Sequence, residues 1–426
     1  MSERKRIYLC LAHMSEAGLE QKYIKEAFDT NWVVPLGPNV NGFEKDLEEF
    51  VNENQNENEK LSKRVVALSS GTAAVHLALI NCGVKVGDEV CVQSFTFCAS
   101  SHPITYLGAT PIFIDSEKDT WNMDPELLEE AIKDRIAKTG KKPKAVVPVA
   151  LYGMPYNITR IMEIANRYEI PVIEDAAEGF GSRFNGQVLG TFGKYGVLSF
   201  NGNKMITTSG GGALITPDED SWREIMMYAT QYRESYPYYQ HEKIGFNYRM
   251  INICAGIGRG QMTVADQHIQ HHKHVQKLYE ELLKDVQGIE VHSQPNPDVY
   301  DSNYWLCTFT IDPEVHVKGQ ENAYKAMVQG AVGGAAGVIH AATSLTTDCQ
   351  PNDNVEAMRV IMDQAGIEAR PLWKPMHKQP VYKNAPAYVN GVSESLFKVG
   401  MCLPAGPYVT EEDVKYIVDT IKGAIQ

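Results

Sequence analysis

A chain of 426 residues, 43% apolar and 22% charged, is long enough for a large core and more than one domain, with the composition of an ordinary globular protein. Its formal charge of −13 excludes a broad nucleic-acid surface, which needs a basic footprint, but leaves room for a basic pocket around a phosphorylated ligand. No run is long enough to span a membrane, and the apolar stretch Ile7–Ala12 is too short for a secretory signal. The eight cysteines are scattered with no C-x-x-C pair, which points to reduced thiols in the cytoplasm.

From about residue 60 to 230, short β-branched runs alternate with helical patterns. Strands are expected at Arg64–Leu68, Glu89–Gln93, Pro111–Ile114, Ala145–Val149, Pro171–Glu174, Gly196–Phe200 and Gly212–Thr216. Each is apolar without strict alternation, as in strands covered on both faces. Helical patterns such as Pro125–Lys138 and Ile158–Tyr168 separate several of them, which predicts an α/β domain around a mostly parallel sheet. The polar run Asn52–Glu59 reads as a surface loop. Near residue 245 the pattern changes: Met262–Asp285 reads as one long helix, and a smaller α/β domain follows. The expected division is therefore 1–245 and 246–426. The Gly/Ala/Thr/Asn-rich stretch Val328–Asn354 reads as an insertion or irregular loops.

Three segments fall where predicted strands end, the edge at which open parallel sheets bind ligands. In Ser69-Ser70-Gly71-Thr72-Ala73-Ala74, glycine allows close backbone approach, and the following helix offers free N–H groups to a phosphate. Taken alone, an ordinary helix cap after a tight turn is the plainer reading of those residues. In Val172-Ile173-Glu174-Asp175-Ala176-Ala177-Glu178, two acids end a buried strand. A buried carboxylate is costly unless paired, and a protonated pyridine nitrogen is one suitable partner. A carboxylate capping the next helix fits Asp175 about equally well when that residue is considered alone. In the segment from Gly196 to Gly212, Lys204 follows a strand among apolar and small residues. A turn lysine is usually solvated, but burial there favours the neutral amine that forms an imine with an aldehyde. Phosphate cradle, pyridinium partner and imine-forming lysine, in that order, make one proposal stronger than its parts.

The blocks SSGTAAVHLAL, SFTFCAS, EDAAEGFGS, SFNGNKMITTSGGG and GFNYRMINICAGIG carry a resemblance over nearly the whole chain, from Asn31-Trp32 and Gly37-Pro38 to Arg370–His377. The sequence resembles the DegT/DnrJ-type sugar aminotransferases, a branch of the fold-type-I pyridoxal-phosphate enzymes. The resemblance implies a large domain with a mostly parallel seven-stranded sheet and a smaller C-terminal α/β domain. It implies that Lys204 is the imine lysine and Asp175 the partner of the pyridine nitrogen. Gly71, Thr72 and Ser199 would bind the cofactor phosphate, Phe97 would cover the ring, and Glu178 would lie near the cofactor face. Asn247 would reach the phosphate of the neighbouring subunit, making an obligate homodimer with shared sites, and Arg249 and His377 would face the substrate. A branch that replaces the lysine with histidine performs dehydration; the lysine here favours transamination.

By the same resemblance, glutamate is the expected donor, with pyridoxamine phosphate as the intermediate cofactor form. The acceptor most like this pattern is C4 of a UDP-4-keto-6-deoxy-N-acetylhexosamine. The alternatives are C3 amination of a dTDP- or GDP-linked keto-sugar and a non-catalytic cofactor-binding regulator. The stretch 314–354 departs from the family by its length, which puts the rim of the substrate pocket in question. His268 and His272, at i and i+4, have metal-ligand spacing, but without an evident carboxylate or cysteine partner they read as a solvated helix face. Gly333–Gly337 lacks the strand-to-helix setting of a nucleotide loop.

Overall fold

Residues 5–53, 62–324 and 349–425 are described by the computed structural model. After helices α1 (Leu19–Asp29) and α2 (Pro38–Asn52), strands and helices alternate: β1 (Arg64–Leu68), α3 (Gly71–Asn81), β2 (Glu89–Gln93), α4 (His102–Tyr106), β3 (Thr110–Ile114), α5 (Pro125–Thr139), β4 (Val146–Val147), α6 (Ile158–Arg167) and β5 (Ile173–Asp175). A short hairpin, β6 (Arg183–Phe184) and β7 (Gln187–Val188), precedes β8 (Tyr195–Ser199), β9 (Gly212–Thr216) and α7 (Glu219–Ala229).

Strands pair in the order β3-β2-β4 and β5-β8-β9-β1, and the parallel bridges Val146–Val172 and Val149–Asp175 join the two groups into one seven-stranded sheet. Only β9 runs antiparallel to its neighbours, so the carboxyl ends of the other six open on one edge. The expected apolar runs therefore mark a sheet buried on both faces, with small shifts at the ends. The fifth strand begins at Ile173 rather than Pro171, whose carbonyl still accepts the Val146 N–H at 3.0 Å.

The expected helix Met262–Asp285 is corrected. Met262 ends α8 (Asn252–Met262), and α9 covers Ala265–Leu283. The break has a local cause: the Thr263 N–H and hydroxyl both turn back to the Gly260 carbonyl, and the Val264 N–H donates to Gln261, so the backbone tightens into i→i−3 bonds. The second hydrophobic core lies among α9, the sheet β10 (Ile289–Val291), β12 (Cys307–Ile311), β15 (Gly400–Leu403) and β13 (Arg370–Pro371), and helices Asp353–Gln364 and Glu411–Ala424. Strand β11 (Tyr300–Asp301) instead pairs with β6, and β14 (Ala387–Tyr388) adds in parallel to the outer edge of β3. Ile7 contributes to the second core, while α8 packs on α1 and α2. Most of the polar run 52–59 and of the 314–354 stretch, including Gly333–Gly337, lies outside the described residues. Among the described residues no helix is long and apolar enough to cross a membrane.

The solvated face expected around His268 and His272 is also corrected. Both are buried, with His268 Nδ1 3.3 Å from the Met205 carbonyl and His272 Nδ1 3.1 Å from that of Tyr304. Burial pushes His272 down to about 3, so its ring is neutral. Among the described residues no group of three metal-ligating side chains stands together.

Candidate active site

The loops that leave β1, β2, β5 and β8 meet at the carboxyl edge of the sheet. Ser70 caps α3, its Oγ accepting the Ala73 N–H at 3.0 Å. The N–H groups of Gly71 and Thr72, on the first turn, have no intrahelical acceptor and point out of the helix end. Gly71 lies against Ser199, the last residue of β8; a Cβ on Gly71 would sit 3.1 Å from the Ser199 Cβ. Beneath them β9 starts at Gly212, paired with Leu68 on one side and Ser199 on the other. Two strand ends, a hydroxyl and a helix N-terminus thus converge within a few ångströms, an arrangement that holds a phosphate.

The two acids of β5 divide their work. Glu174 turns into the protein and accepts the N–H groups of Phe192 at 2.6 Å and Gly193 at 2.5 Å, fixing the loop before β8. Asp175 turns to the site, where its Oδ2 accepts the Ser100 hydroxyl at 2.6 Å and its Oδ1 the Ala177 N–H at 3.1 Å. Burial raises its pKa, opposed by those hydrogen bonds and by the charge of Lys204. A cationic N–H would lower the cost of this carboxylate further.

Lys204 sits in the turn after β8, its N–H donating to the Asn201 carbonyl at 3.0 Å, with a side chain only 13% exposed. Its Nζ is 3.4 Å from Glu178 Oε1 and 4.1 Å from the centre of the Trp305 ring. The other Glu178 oxygen accepts the Tyr152 N–H at 2.7 Å, a residue held at φ 53°. Burial pushes Glu178 up to about 7, against the opposing pull of Lys204.

Phe97 follows β2 and is 54% exposed, with its ring tilted against Trp373 at 5.5 Å. Trp373 in turn packs on Tyr152 at 5.1 Å and donates its backbone N–H to the Tyr152 hydroxyl. His377 is brought to the end of β2, where its Nδ1 is 2.6 Å from the Ser94 Oγ and its pKa is lowered by burial, with Asp115 opposing. Asn247 is exposed beside the α3 entrance, since the Tyr248 carbonyl next to it accepts the Ser69 N–H at 2.8 Å. Arg249 does not join the site. Its guanidinium is buried against the Glu44 carboxylate of α2 and donates to the Ala67 carbonyl at 3.0 Å. The expectation that it faces the substrate is thereby corrected: a buried carboxylate under β1 needs a cation, and Arg249 supplies it.

Trp305, Tyr152, Trp373 and Ser100 complete the surroundings, and none was singled out by residue type or spacing. Ser100 does close the SFTFCAS block; for Trp305 the sequence holds no local signal.

The family described as DegT/DnrJ/EryC1/StrS aminotransferases matches residues 15–334 and 320–422. The chain belongs to this family. It is 41% identical over 421 residues to the putative pyridoxal phosphate-dependent aminotransferase EpsN of Bacillus subtilis (strain 168), covering 98% of this chain and 95% of that protein. It is 32% identical to a GDP-perosamine synthase of Escherichia coli O157:H7, covering 97% and 98% of the two chains. Among solved structures, a DegT DnrJ EryC1 StrS aminotransferase from Brucella abortus superposes with a TM-score of 0.79 at 26% identity, over 96% of this chain and 95% of the other. This chain is thus a pyridoxal-phosphate-dependent sugar aminotransferase of fold type I. The observed donors fit that cofactor: open helix N–H groups and a hydroxyl for the phosphate, a buried carboxylate for the ring nitrogen, and a half-enclosed amine between them.

Proposed function

We propose that this aminotransferase moves the amino group of glutamate to a keto-sugar carried on a nucleotide, at C4 of a UDP-4-keto-6-deoxy-N-acetylhexosamine. The observation that carries the reading is the Lys204 amine enclosed beside Glu178, on the same sheet edge as Asp175 and the open end of α3. When bound, pyridoxal phosphate supplies an aldehyde to carry the amino group and a ring that accepts electrons. In this reading the Gly71 and Thr72 N–H groups and the Ser199 hydroxyl hold the phosphate, and Asp175 keeps the ring nitrogen protonated. Phe97 covers the ring from the open side and excludes water. Lys204 anchors the cofactor and then serves as the base and acid that moves the proton at the donor's Cα. His377, anchored on Ser94, faces the acceptor.

The site is shared between two copies of the chain. Asn247 is exposed, with no hydrogen-bond partner among the described residues, and next to its block lies an exposed apolar surface formed by Trp32, Val33, Val34, Leu36 and Ile251. Asn252 ties the two segments together through the carbonyls of Trp32 and Val34. Such a patch on an otherwise charged protein marks an interface, and a second copy seated there brings Asn247 to the partner's phosphate. The free cysteines accord with work in the cytoplasm.

A second reading, a GDP-linked acceptor, is favoured by the full-length likeness to a GDP-perosamine synthase. The test loads the protein with cofactor, converts it to the amino form with glutamate, and offers UDP-, GDP- and dTDP-linked 4-keto- and 3-keto-sugars. Recovery of the original absorbance and an amino-sugar seen by mass spectrometry are expected with the UDP-4-keto-sugar. Recovery with the GDP-linked sugars alone moves the assignment to the second reading, and no response to any nucleotide sugar overturns both.

A further inference from the structure

We propose that Trp305 is a positioning residue that seats the Lys204 side chain for proton transfer; the inference rests on the aminotransferase reading above. The indole is 3% exposed, and its face lies 4.1 Å from the lysine Nζ, within the range of a cation–π contact. Its edge is used as well: Nε1–H donates at 2.7 Å to the carbonyl of Asn203, the residue before the lysine. One ring thus holds both the head of the side chain and the backbone from which it springs. On the other side Nζ meets Glu178 at 3.4 Å.

Trp305 is itself fixed to both loops. Its backbone N–H donates to the Asn303 Oδ1 at 2.8 Å, and the Asn303 amide donates to the carbonyls of Glu178 at 2.8 Å and Phe180 at 2.9 Å. The segment Asn303–Trp305 leads into β12, in the second core, and clamps the loops after β5 and β8 from outside the large sheet. A free lysine side chain samples many rotamers, and each one away from the reacting carbon lowers the rate. Here a flat aromatic floor and one carboxylate leave Nζ little room.

The chemistry explains the choice of floor. Taking a proton from the donor's Cα turns the neutral amine of Lys204 into an ammonium, and giving that proton up restores the amine. The lysine is unchanged over the cycle, and no further reactant is needed. The charge appears only while Nζ holds the proton, and both the indole face and the Glu178 carboxylate favour it at that moment.

The experiment compares wild type with Trp305→Leu, which removes the aromatic face, and Trp305→Phe, which keeps a face but loses the N–H. In cofactor-loaded protein, single-turnover reaction with glutamate should slow about 10- to 100-fold for Trp305→Leu, with little change in KM. The deuterium isotope effect with α-deuterated glutamate should rise, because proton transfer has become the slow step. Trp305→Phe should recover most of the rate. In cofactor-free protein, reductive methylation by formaldehyde and cyanoborohydride, read by peptide mass spectrometry, should modify Lys204 several times faster in Trp305→Leu, while surface lysines react as in wild type. A folded Trp305→Leu with wild-type rates in both assays overturns the proposal. If that variant does not fold, Trp305→Met, which keeps bulk without an aromatic face, takes its place, and wild-type rates for it in both assays overturn the proposal. A wild-type protein inert to glutamate would instead overturn the glutamate-donor reading, and the methylation comparison would still decide on the seat.

Discussion

Replacing Gly212 by alanine should loosen the hold on the cofactor phosphate without deleting any functional group. A Cβ at this position lies 2.3 Å from the Gly71 nitrogen, 2.4 Å from the Ser70 carbonyl carbon and 2.7 Å from the Ser70 oxygen, where ordinary contact begins at 3.4 Å. All three neighbours are backbone atoms, so no side chain can rotate away, and the two segments must part by about 1 Å. Either β9 lifts from the ends of β1 and β8, or the first turn of α3 slides outward. Both shift the Gly71 N–H relative to the Ser199 hydroxyl. A stretch of that size forfeits most of a hydrogen bond. Overpacking should cost about 1–3 kcal/mol of stability. Losing one or two charge-assisted bonds to the phosphate should weaken cofactor binding by about 100-fold. The assay is absorbance titration of the cofactor-free variant with pyridoxal phosphate, alongside thermal unfolding. Gly210→Ala is the control, since a Cβ there meets nothing within 4 Å, and its affinity should stay within about twofold of wild type. A folded Gly212→Ala that binds cofactor as tightly as wild type would refute the reasoning.

Asp175→Asn should keep the fold, because an amide oxygen can still accept the Ser100 and Ala177 donors, yet slow single-turnover reaction with glutamate by orders of magnitude; an unchanged rate would reduce Asp175 to a helix cap. Glu178, raised from 4.5 to about 7, lends stability that is full below the unfolded value and lost as pH rises through about 7. Between pH 5 and 8 the cofactor-free wild type should therefore lose about 1–3 kcal/mol relative to Glu178→Gln, and parallel unfolding curves for the two proteins would exclude this. If the site is shared, inactive Lys204→Ala and weakened Asn247→Ala subunits should regain activity on mixing, because one site of the hybrid receives both intact halves. Sedimentation of a fully active monomer would rule the shared site out.

The sheet was legible because strands buried on both faces must be apolar throughout, and the glycines, acids and lysine of the site stand directly at their ends. What escaped depended on hydrogen bonds that residue type does not announce, most of them to partners far away in the chain. Thr263 looks like any helix residue until its hydroxyl turns back to Gly260 and ends α8. His268 and His272 read as solvent-facing by their polarity, but carbonyls of Met205 and Tyr304, on separate loops, make their burial tolerable. Arg249 looked free for a substrate because its partner, Glu44, lies on a helix with no motif to mark it. Trp305 was invisible for the same reason: it comes to Lys204 from the segment just before β12, about a hundred residues along the chain.

The late strand β14 bears on how such a chain is made. Along the outer side of β3, the Phe113 N–H finds the Pro386 carbonyl and the Asp115 N–H that of Tyr388. On the ribosome, β3 and its parallel neighbours emerge long before residues 386–388. Until then an apolar strand shows an open row of donors and acceptors, the template on which growing chains stick to one another. A segment made much later than β3 thus closes that side of the sheet, and the nascent chain carries the strand with its outer row open until the segment arrives.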